Sequence, residues 1–183
     1  MIRTALAIVF ALTATAAAAD EQAAWAALRG GGHVALMRHA TAPGVGDPAT
    51  FKLGDCSTQR NLNDAGRAEA RAIGERFRAH GVAVAEVRTS QWCRARDTAE
   101  EMKLGSVTED PRLNSFFGDG DRAGGLEASK AAVRDAVRSG SAAVLVTHQV
   151  NVTAATGVFP ASGEIVVVTV EGDAIQVVGR IAP

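Results

Sequence analysis

The alternation of apolar and polar positions along the chain predicts strands and helices in turn. Short apolar runs bounded by turn residues are typical of strands, and they occur at His33–Met37, Val82–Ser90, Val107–Leu113 (weaker, interrupted by Pro111) and Ala142–Thr147. Stretches with helical periodicity separate them, at Asp20–Leu28, Asn63–His80, Trp92–Lys103 and Leu126–Ser139. Ile165–Val170 and Ile175–Ile181 predict a closing hairpin. The order predicts an α/β fold, a three-layer α/β/α sandwich with a mostly parallel central sheet and a C-terminal hairpin.

The helix after residue 62 carries the clearest boundary signals. Asn63 is a favoured capping residue, and Gly81 ends the pattern. Its buried side is predicted to hold Ala65, Ala68, Ala72, Ile73 and Phe77. Two loops flank the predicted core: Pro43–Arg60, whose length favours a functional role, and Asn114–Gly125.

The N-terminus has the order of a secretory signal peptide. Arg3 supplies a positive start, residues 5–16 are apolar, and Ala17–Ala19 precede Asp20. A membrane anchor is the alternative, but the run falls short of the roughly 20 apolar residues that span a bilayer. We predict a signal peptide over residues 1–19, a single domain over 20–183, a periplasmic or secreted location, and no membrane-spanning segment after cleavage.

Export changes how the two cysteines, Cys56 and Cys93, are interpreted. An oxidising compartment permits a disulfide between them, which would stabilise the fold by roughly 3–4 kcal/mol in the chain-entropy model. Two free thiols remain the alternative. We favour the bridge.

Charged and polar residues follow three of the predicted strands. The formal net charge is −1, which does not favour a nucleic-acid partner, so an anion site would need a few local cations. Arg38 and His39 end the first strand, Ser90 ends the second shortly before Arg94, and His148 follows the apolar strand at 142–147. Ligands of such folds bind beyond the carboxyl ends of the strands, so these side chains are expected to converge.

Two histidines among arginines suit phosphoryl transfer. A neutral imidazole attacks phosphorus when its second nitrogen is held by an acceptor. Fixed guanidinium groups stabilise the charge on the phosphoryl oxygens, so neither a metal nor a cofactor is required. The spacing of cysteine-based phosphatases is absent, because Ala99 and Leu62 stand where their arginine would follow Cys93 and Cys56.

Four segments, in order, resemble the histidine phosphatase superfamily, which includes phosphoglycerate mutases and phosphohistidine phosphatases. They are Leu36–Ala40 (LMRHA), Asn63–Gly66, Thr89–Ala99 and Val144–His148. The resemblance implies that His39 becomes phosphohistidine and that Arg38, Arg94 and His148 bind the phosphoryl group and are catalytic with it. It also implies the sandwich fold and a small phosphorylated substrate.

One position departs from the family pattern. A glutamate that protonates the leaving group commonly follows the third strand, but here the segment is Leu113–Ser115. Asp119 and Asp121 are possible substitutes, and a solvated acidic loop is the alternative. Gln59 and Arg60 are further candidates for substrate contact.

The sequence therefore predicts a metal-independent phosphomonoester hydrolase acting through phosphohistidine on His39. A protein phosphohistidine phosphatase and a catalytically weak phospho-ligand binding module remain alternatives. The physiological substrate and the oligomeric state are left open.

Overall fold

The computed structural model describes residues 20–118 and 121–183, so the predicted signal peptide and Asp119 lie outside the described residues. The helices are α1 over residues 20–30, α2 Asp64–Ala79, α3 Cys93–Met102, α4 Arg122–Arg138 and α5 Gln149–Thr156. The strands are β1 Val34–Arg38, β2 Val84–Thr89, β3 Val107–Glu109, β4 Ala142–Thr147, β5 Ile165–Glu171 and β6 Ala174–Ile181. None of the described helices is long and apolar enough to cross a membrane.

The strands form one sheet in the order β3-β2-β4-β1-β5-β6. The four strands from β3 to β1 pair in parallel, and β5 and β6 add the antiparallel hairpin. Alternate residues of the central strands enter two separate cores. Helices α1, α2 and α3 cover the face with Met37 and Val146, while α4 and α5 cover the face with Leu36 and Leu145. The predicted α/β/α sandwich is confirmed.

The register brings the carboxyl ends of three strands to one edge. Arg38 at the end of β1 pairs with Thr147 of β4, and Thr89 at the end of β2 pairs with Val146. The residues that follow these strands, His39, Ser90 and His148, therefore leave the sheet side by side.

Two glycines of α2 allow the helix to lie close to its neighbours. A methyl group at Gly66 would lie 2.0 Å from the Thr41 carbonyl oxygen, and one at Gly74 would lie 2.0 Å from that of Met102. The buried side of α2 is consequently Gly66, Ala70, Ile73, Gly74 and Phe77. The prediction was correct for Ile73 and Phe77. It was wrong for the other three residues, because the exposed side of the helix holds Ala65, Ala68 and Ala72.

Candidate active site

The structure brings the four predicted site residues to one cavity beyond the strand ends. His39 is 3% exposed, Arg94 4% and His148 3%, and Arg38 is half-buried. All four line a cavity of about 610 Å³ together with Arg60. Three guanidinium groups therefore face two imidazoles.

The imidazole of His39 is held with one nitrogen directed at the arginines. Its Nδ1 lies 2.7 Å from the Ala40 carbonyl oxygen, which only accepts, so Nδ1 carries the proton. Nε2 then has the lone pair and accepts a hydrogen bond from Arg94 Nε at 3.2 Å. Backbone bonds hold the residue itself: its N–H donates to Thr147, and its carbonyl accepts from Gly163.

Burial keeps this imidazole neutral. Loss of water contact lowers the pKa of His39 to about 3, although the hydrogen bond to Ala40 opposes the shift, and the charges of Arg94, Arg60 and Arg38 lower it further. Nε2 is consequently unprotonated throughout the neutral range. A nitrogen with a free lone pair beside three cations suits attack on an anionic electrophile.

His148 is the end of a hydrogen-bond chain. Its Nδ1 accepts from Arg94 Nη2 at 3.4 Å, so its Nε2–H donates to Ser90 Oγ at 2.8 Å. Ser90 in turn donates to Asn114 Oδ1. Burial, with the neighbouring His39 ring and the charge of Arg94, keeps the pKa of His148 well below its usual value. The ring is therefore neutral and fixed in one tautomer.

Arg94 enters the site at the first turn of α3, where Asp47 holds it. Its Nη1 donates to both carboxylate oxygens of Asp47, at 2.8 and 3.1 Å. Burial alone would raise the pKa of Asp47, but the hydrogen bond from the Arg60 N–H and the charge of Arg94 keep it below its usual value. The carboxylate is therefore ionised and compensates one of the three cations.

Arg38 and Arg60 are fixed through backbone carbonyls. Arg38 donates to Pro160, and its buried Nε has no partner among the described residues. Arg60 donates to Gly46 at 2.8 Å and to Ala42. Arg60 therefore belongs to the candidate site. Gln59 was the other candidate for substrate contact in this loop. It is buried, and its side chain accepts a hydrogen bond from the Cys93 N–H, so it stabilises the start of α3 and does not line the cavity.

A disulfide fixes the long loop to the helix that carries Arg94. The bridge joins Cys56 and Cys93, so the predicted bond is present. Cys93 begins α3, one residue before Arg94. The loop that supplies Asp47 and Arg60 is thus tied covalently to α3.

The described residues place no protonated carboxylic acid in the cavity. Ser115 lines it at the position where the family's glutamate was expected. Asp121 is exposed and caps α4, where its carboxylate accepts the Gly124 N–H at 2.8 Å. Asp119 lies outside the described residues. Asp47 is the carboxylate of the cavity, and Arg94 keeps it ionised.

The sequence did not predict several polar residues that position the site. They include Asp47, Thr98, whose hydroxyl accepts the Ala40 N–H and donates to Arg94 O, and Asn114. A buried guanidinium needs a carboxylate partner, and Asp47 could have been expected on that ground. That signal does not separate Asp47 from Asp55, which caps a short 3₁₀ helix in the same loop.

The described residues contain no group of three or more His, Cys, Asp or Glu arranged to hold a metal ion. The cationic side chains that line the described cavity are Arg38, Arg60 and Arg94.

Solved structures share this architecture. The protein histidine phosphatase SixA complexed with tungstate superposes with a TM-score of 0.61 at 19% identity, covering 82% of this chain and 97% of its own. Bacillus stearothermophilus YhfR gives 0.60 at 18% identity, covering 80% and 95%. A mycobacterial glucosyl-3-phosphoglycerate phosphatase gives 0.59 at 14%, covering 79% and 96%. No curated protein sequence matches the chain significantly.

The sequence profile of the histidine phosphatase superfamily (branch 1) matches residues 34–121. That segment contains Arg38, His39 and Arg94, and the register of β4 places His148 beside them. The similarity in fold to the solved SixA structure covers 82% of this chain. The chain is therefore similar to the histidine phosphatase superfamily over residues 34–121, just under half of its length.

Proposed function

We propose that the protein is a phosphatase that hydrolyses phosphate monoesters through a phosphohistidine on His39. The observation that carries the proposal is the direction of His39 Nε2, an unprotonated nitrogen facing Arg94 with Arg38 and Arg60 around the same cavity. The guanidinium groups neutralise the phosphoryl oxygens, so the proposal needs no metal.

The reaction has two displacements at phosphorus. In the first, the Nε2 lone pair of His39 bonds to phosphorus, the bond to the ester oxygen breaks, and the leaving oxygen departs as an anion that takes a proton from water. The Nδ1–H keeps donating its hydrogen bond to the Ala40 carbonyl oxygen, which stabilises the positive ring. In the second, water bonds to phosphorus, the P–N bond breaks with its electron pair returning to Nε2, and phosphate leaves, releasing to solvent the proton that balances the one taken up by the alcohol. Arg94 and His148 contact the transferring group from the side of α3 and α5.

The absence of a protonated carboxylate in the described cavity bears on the first displacement. A positioned general acid typically contributes about 10²–10⁴-fold, most where the leaving oxygen is a strong base. Asp47 is ionised and Ser115 is a weak acid, so the leaving group must depart with little help. The site therefore favours esters whose leaving groups are stable anions.

Phosphohistidine on another protein is a second substrate class that fits a cavity without a protonated carboxylate among its described residues. The P–N bond of phosphohistidine on another protein has an imidazole leaving group, whose other ring nitrogen takes a proton from solvent near neutral pH, so that neutral imidazole leaves without a positioned carboxylic acid. The fold is shared with the protein histidine phosphatase SixA. Competition between a phosphohistidine peptide and an aryl phosphate, measured as relative kcat/KM, separates the two substrates.

Leaving-group dependence tests both the activity and the missing acid. We expect purified protein in excess chelator to release phosphate from nitrophenyl phosphate, with a single-turnover rate about 10²-fold or more above that of ethyl phosphate at saturation. A binding module would release none. Matched variants Asp119→Asn and Asp121→Asn are expected to change neither rate, since asparagine also caps a helix. If the wild-type rate instead depends little on the leaving group, and the rate of one variant depends on it strongly, the residue replaced in that variant is the acid.

The pH profile tests the state of His39. An ordinary histidine would protonate near pH 6.5 and lose its lone pair. Because the pKa of His39 is lowered to about 3, we expect kcat/KM, corrected for the substrate's separately measured ionisation, to stay level from pH 7 to about 4.5. The unfolded chain binds this proton near 6.5, so stability is expected to fall as pH drops from there towards 3. An acid limb at pH 6.5 would contradict the neutral, buried nucleophile.

We also propose that the chain is exported. The signal-like order of residues 1–19 and the Cys56–Cys93 disulfide support this location, because disulfides persist in oxidising compartments. Intact mass of the protein recovered from a bacterial periplasm, starting at Asp20, would support the proposal. Retention in the cytosol at full length would contradict it.

A further inference from the structure

The cavity changes character between its floor and its mouth. The floor is charged and buried, with His39, Arg94 and His148 at its base. The remaining wall is mostly apolar, formed by Val45, Pro48, Phe51, Trp92, Phe117 and Val150. A phosphate at the floor would leave its alcohol portion against this wall.

Two of these side chains are exposed to an unusual degree. Val45 is 95% exposed and Phe117 is 64% exposed, and they come from two different loops, 43–60 and 114–118. Single exposed apolar residues scattered over a surface need no explanation. Two that line the same charged cavity are a surface available to a ligand.

The aromatic part of the wall is held in place before any ligand binds. The rings of Phe51 and Trp92 stack with centroids 5.1 Å apart and planes 20° apart. The Trp92 indole N–H donates to Asp47 Oδ2 at 3.1 Å, and its ring lies edge-on to His148. Asp47 thus fixes both the aromatic wall and Arg94.

Several polar groups that lie beside the apolar side chains already form hydrogen bonds within the protein. Gln149 donates to Thr153, Ser115 Oγ accepts the Phe117 N–H, and Arg60 donates to backbone carbonyls. An alcohol rich in hydroxyl groups would lose its hydrogen bonds to water and find few replacements here. The apolar part of an alkyl or aryl ester has no hydrogen bonds to water to lose, and it buries its surface against the wall.

We propose that the preferred substrates are phosphate esters of apolar alcohols, aromatic or long-chain aliphatic, and that Val45, Phe51 and Phe117 determine this specificity. The inference rests on the proposed phosphatase function for its chemistry. It differs from the leaving-group argument, since it concerns contact with the wall and not the acidity of the alcohol.

Alkylphosphonates test the wall without turnover, because their P–C bond is not cleaved. Burial of a methylene strengthens binding about fourfold, so hexylphosphonate is expected to bind at least tenfold more tightly than ethylphosphonate by calorimetry. Phe117→Ser should reduce this ratio at least threefold. The matched control is Phe159→Ser, since Phe159 is 69% exposed and does not line the cavity; it should leave the ratio unchanged.

Each outcome bears on one proposal. Equal binding of the two phosphonates, equal binding of hexylphosphonate and dihydroxypropylphosphonate, or the same loss in both phenylalanine variants would overturn the apolar wall. If phosphonate binding depends on chain length but no ester is hydrolysed, the apolar wall is supported and the phosphatase function is overturned. Unfolding midpoints of both variants should match the wild type, because both side chains are exposed.

Discussion

Replacing His39 with alanine is expected to reduce turnover of nitrophenyl phosphate on the order of 10⁴-fold or more, because removing the nucleophile removes the covalent route. The described cavity offers no second nucleophile in that position: Ser90 Oγ is occupied by His148, and Ser115 has no base beside it. Phosphate release by matched amounts of folded protein measures the effect.

A histidine outside the cavity provides the matched control. His33 precedes β1, hydrogen-bonds the Gly31 carbonyl through its ring and does not line the cavity, so His33→Ala should retain activity within about twofold, in the range of an ordinary surface substitution. Free imidazole added to His39→Ala should restore part of the turnover by occupying the vacated space. Substantial activity of His39→Ala without imidazole would exclude the proposed nucleophile.

Replacing Arg94 with alanine is expected to lower kcat about 10²–10³-fold, the loss typical of a donor aimed at developing charge. Arg94 contacts His39 Nε2, His148 Nδ1 and Asp47, so its removal also frees both imidazoles. Arg138→Ala is the control, since that side chain is 70% exposed and does not line the cavity. It should change kcat less than twofold, as surface substitutions do.

Stability must be separated from catalysis in this experiment. Arg94→Ala leaves the Asp47 carboxylate without its main partner, which costs about 3–5 kcal/mol when a pair is buried. Asp47 is partly exposed, so a smaller loss is expected here. The double variant Asp47→Ala/Arg94→Ala should recover stability in urea but not activity. Recovery of activity in the double variant would reduce Arg94 to a structural role.

The strands and the residues at their ends were predictable from the sequence because both signals are local. Apolar runs such as residues 142–147 give six consecutive buried residues, and His148 follows directly. The parallel arrangement then places strand-end residues at one edge, whichever order the strands take. Arg38, His39, Arg94 and His148 could therefore be assigned to one site without coordinates.

Features that depend on packing between distant segments were missed. Gly124 and Gly125 were assigned to the loop 114–125, but they lie in the first turn of α4, which Asp121 caps. Phe116 packs where a side chain at Gly125 would stand. The buried side of α2 was misassigned for the same reason, since Gly66 and Gly74 are the contact points with other backbone segments. The helix α5 was not predicted.

The sequence also does not show which carboxylate pairs with the buried Arg94. Asp47 and Asp55 lie in the same loop, with the same side chain and similar neighbours. The disulfide and the bend of the loop bring Asp47 to Arg94 and leave Asp55 capping residues 56–58. Neither hydrophobic periodicity nor a motif distinguishes Asp47 from Asp55, because the folded path of the loop decides which carboxylate reaches Arg94.

The central claim is that phosphate passes through His39, and trapping the intermediate tests it most directly. Protein mixed with ³²P-labelled nitrophenyl phosphate and quenched within milliseconds in alkali should carry acid-labile, alkali-stable label, as a phosphoramidate does. Peptide mapping should place it on Nε2 of His39, and the label should be absent from His39→Ala. Label on a serine, or full turnover with no labelled protein at any quench time, would contradict the account.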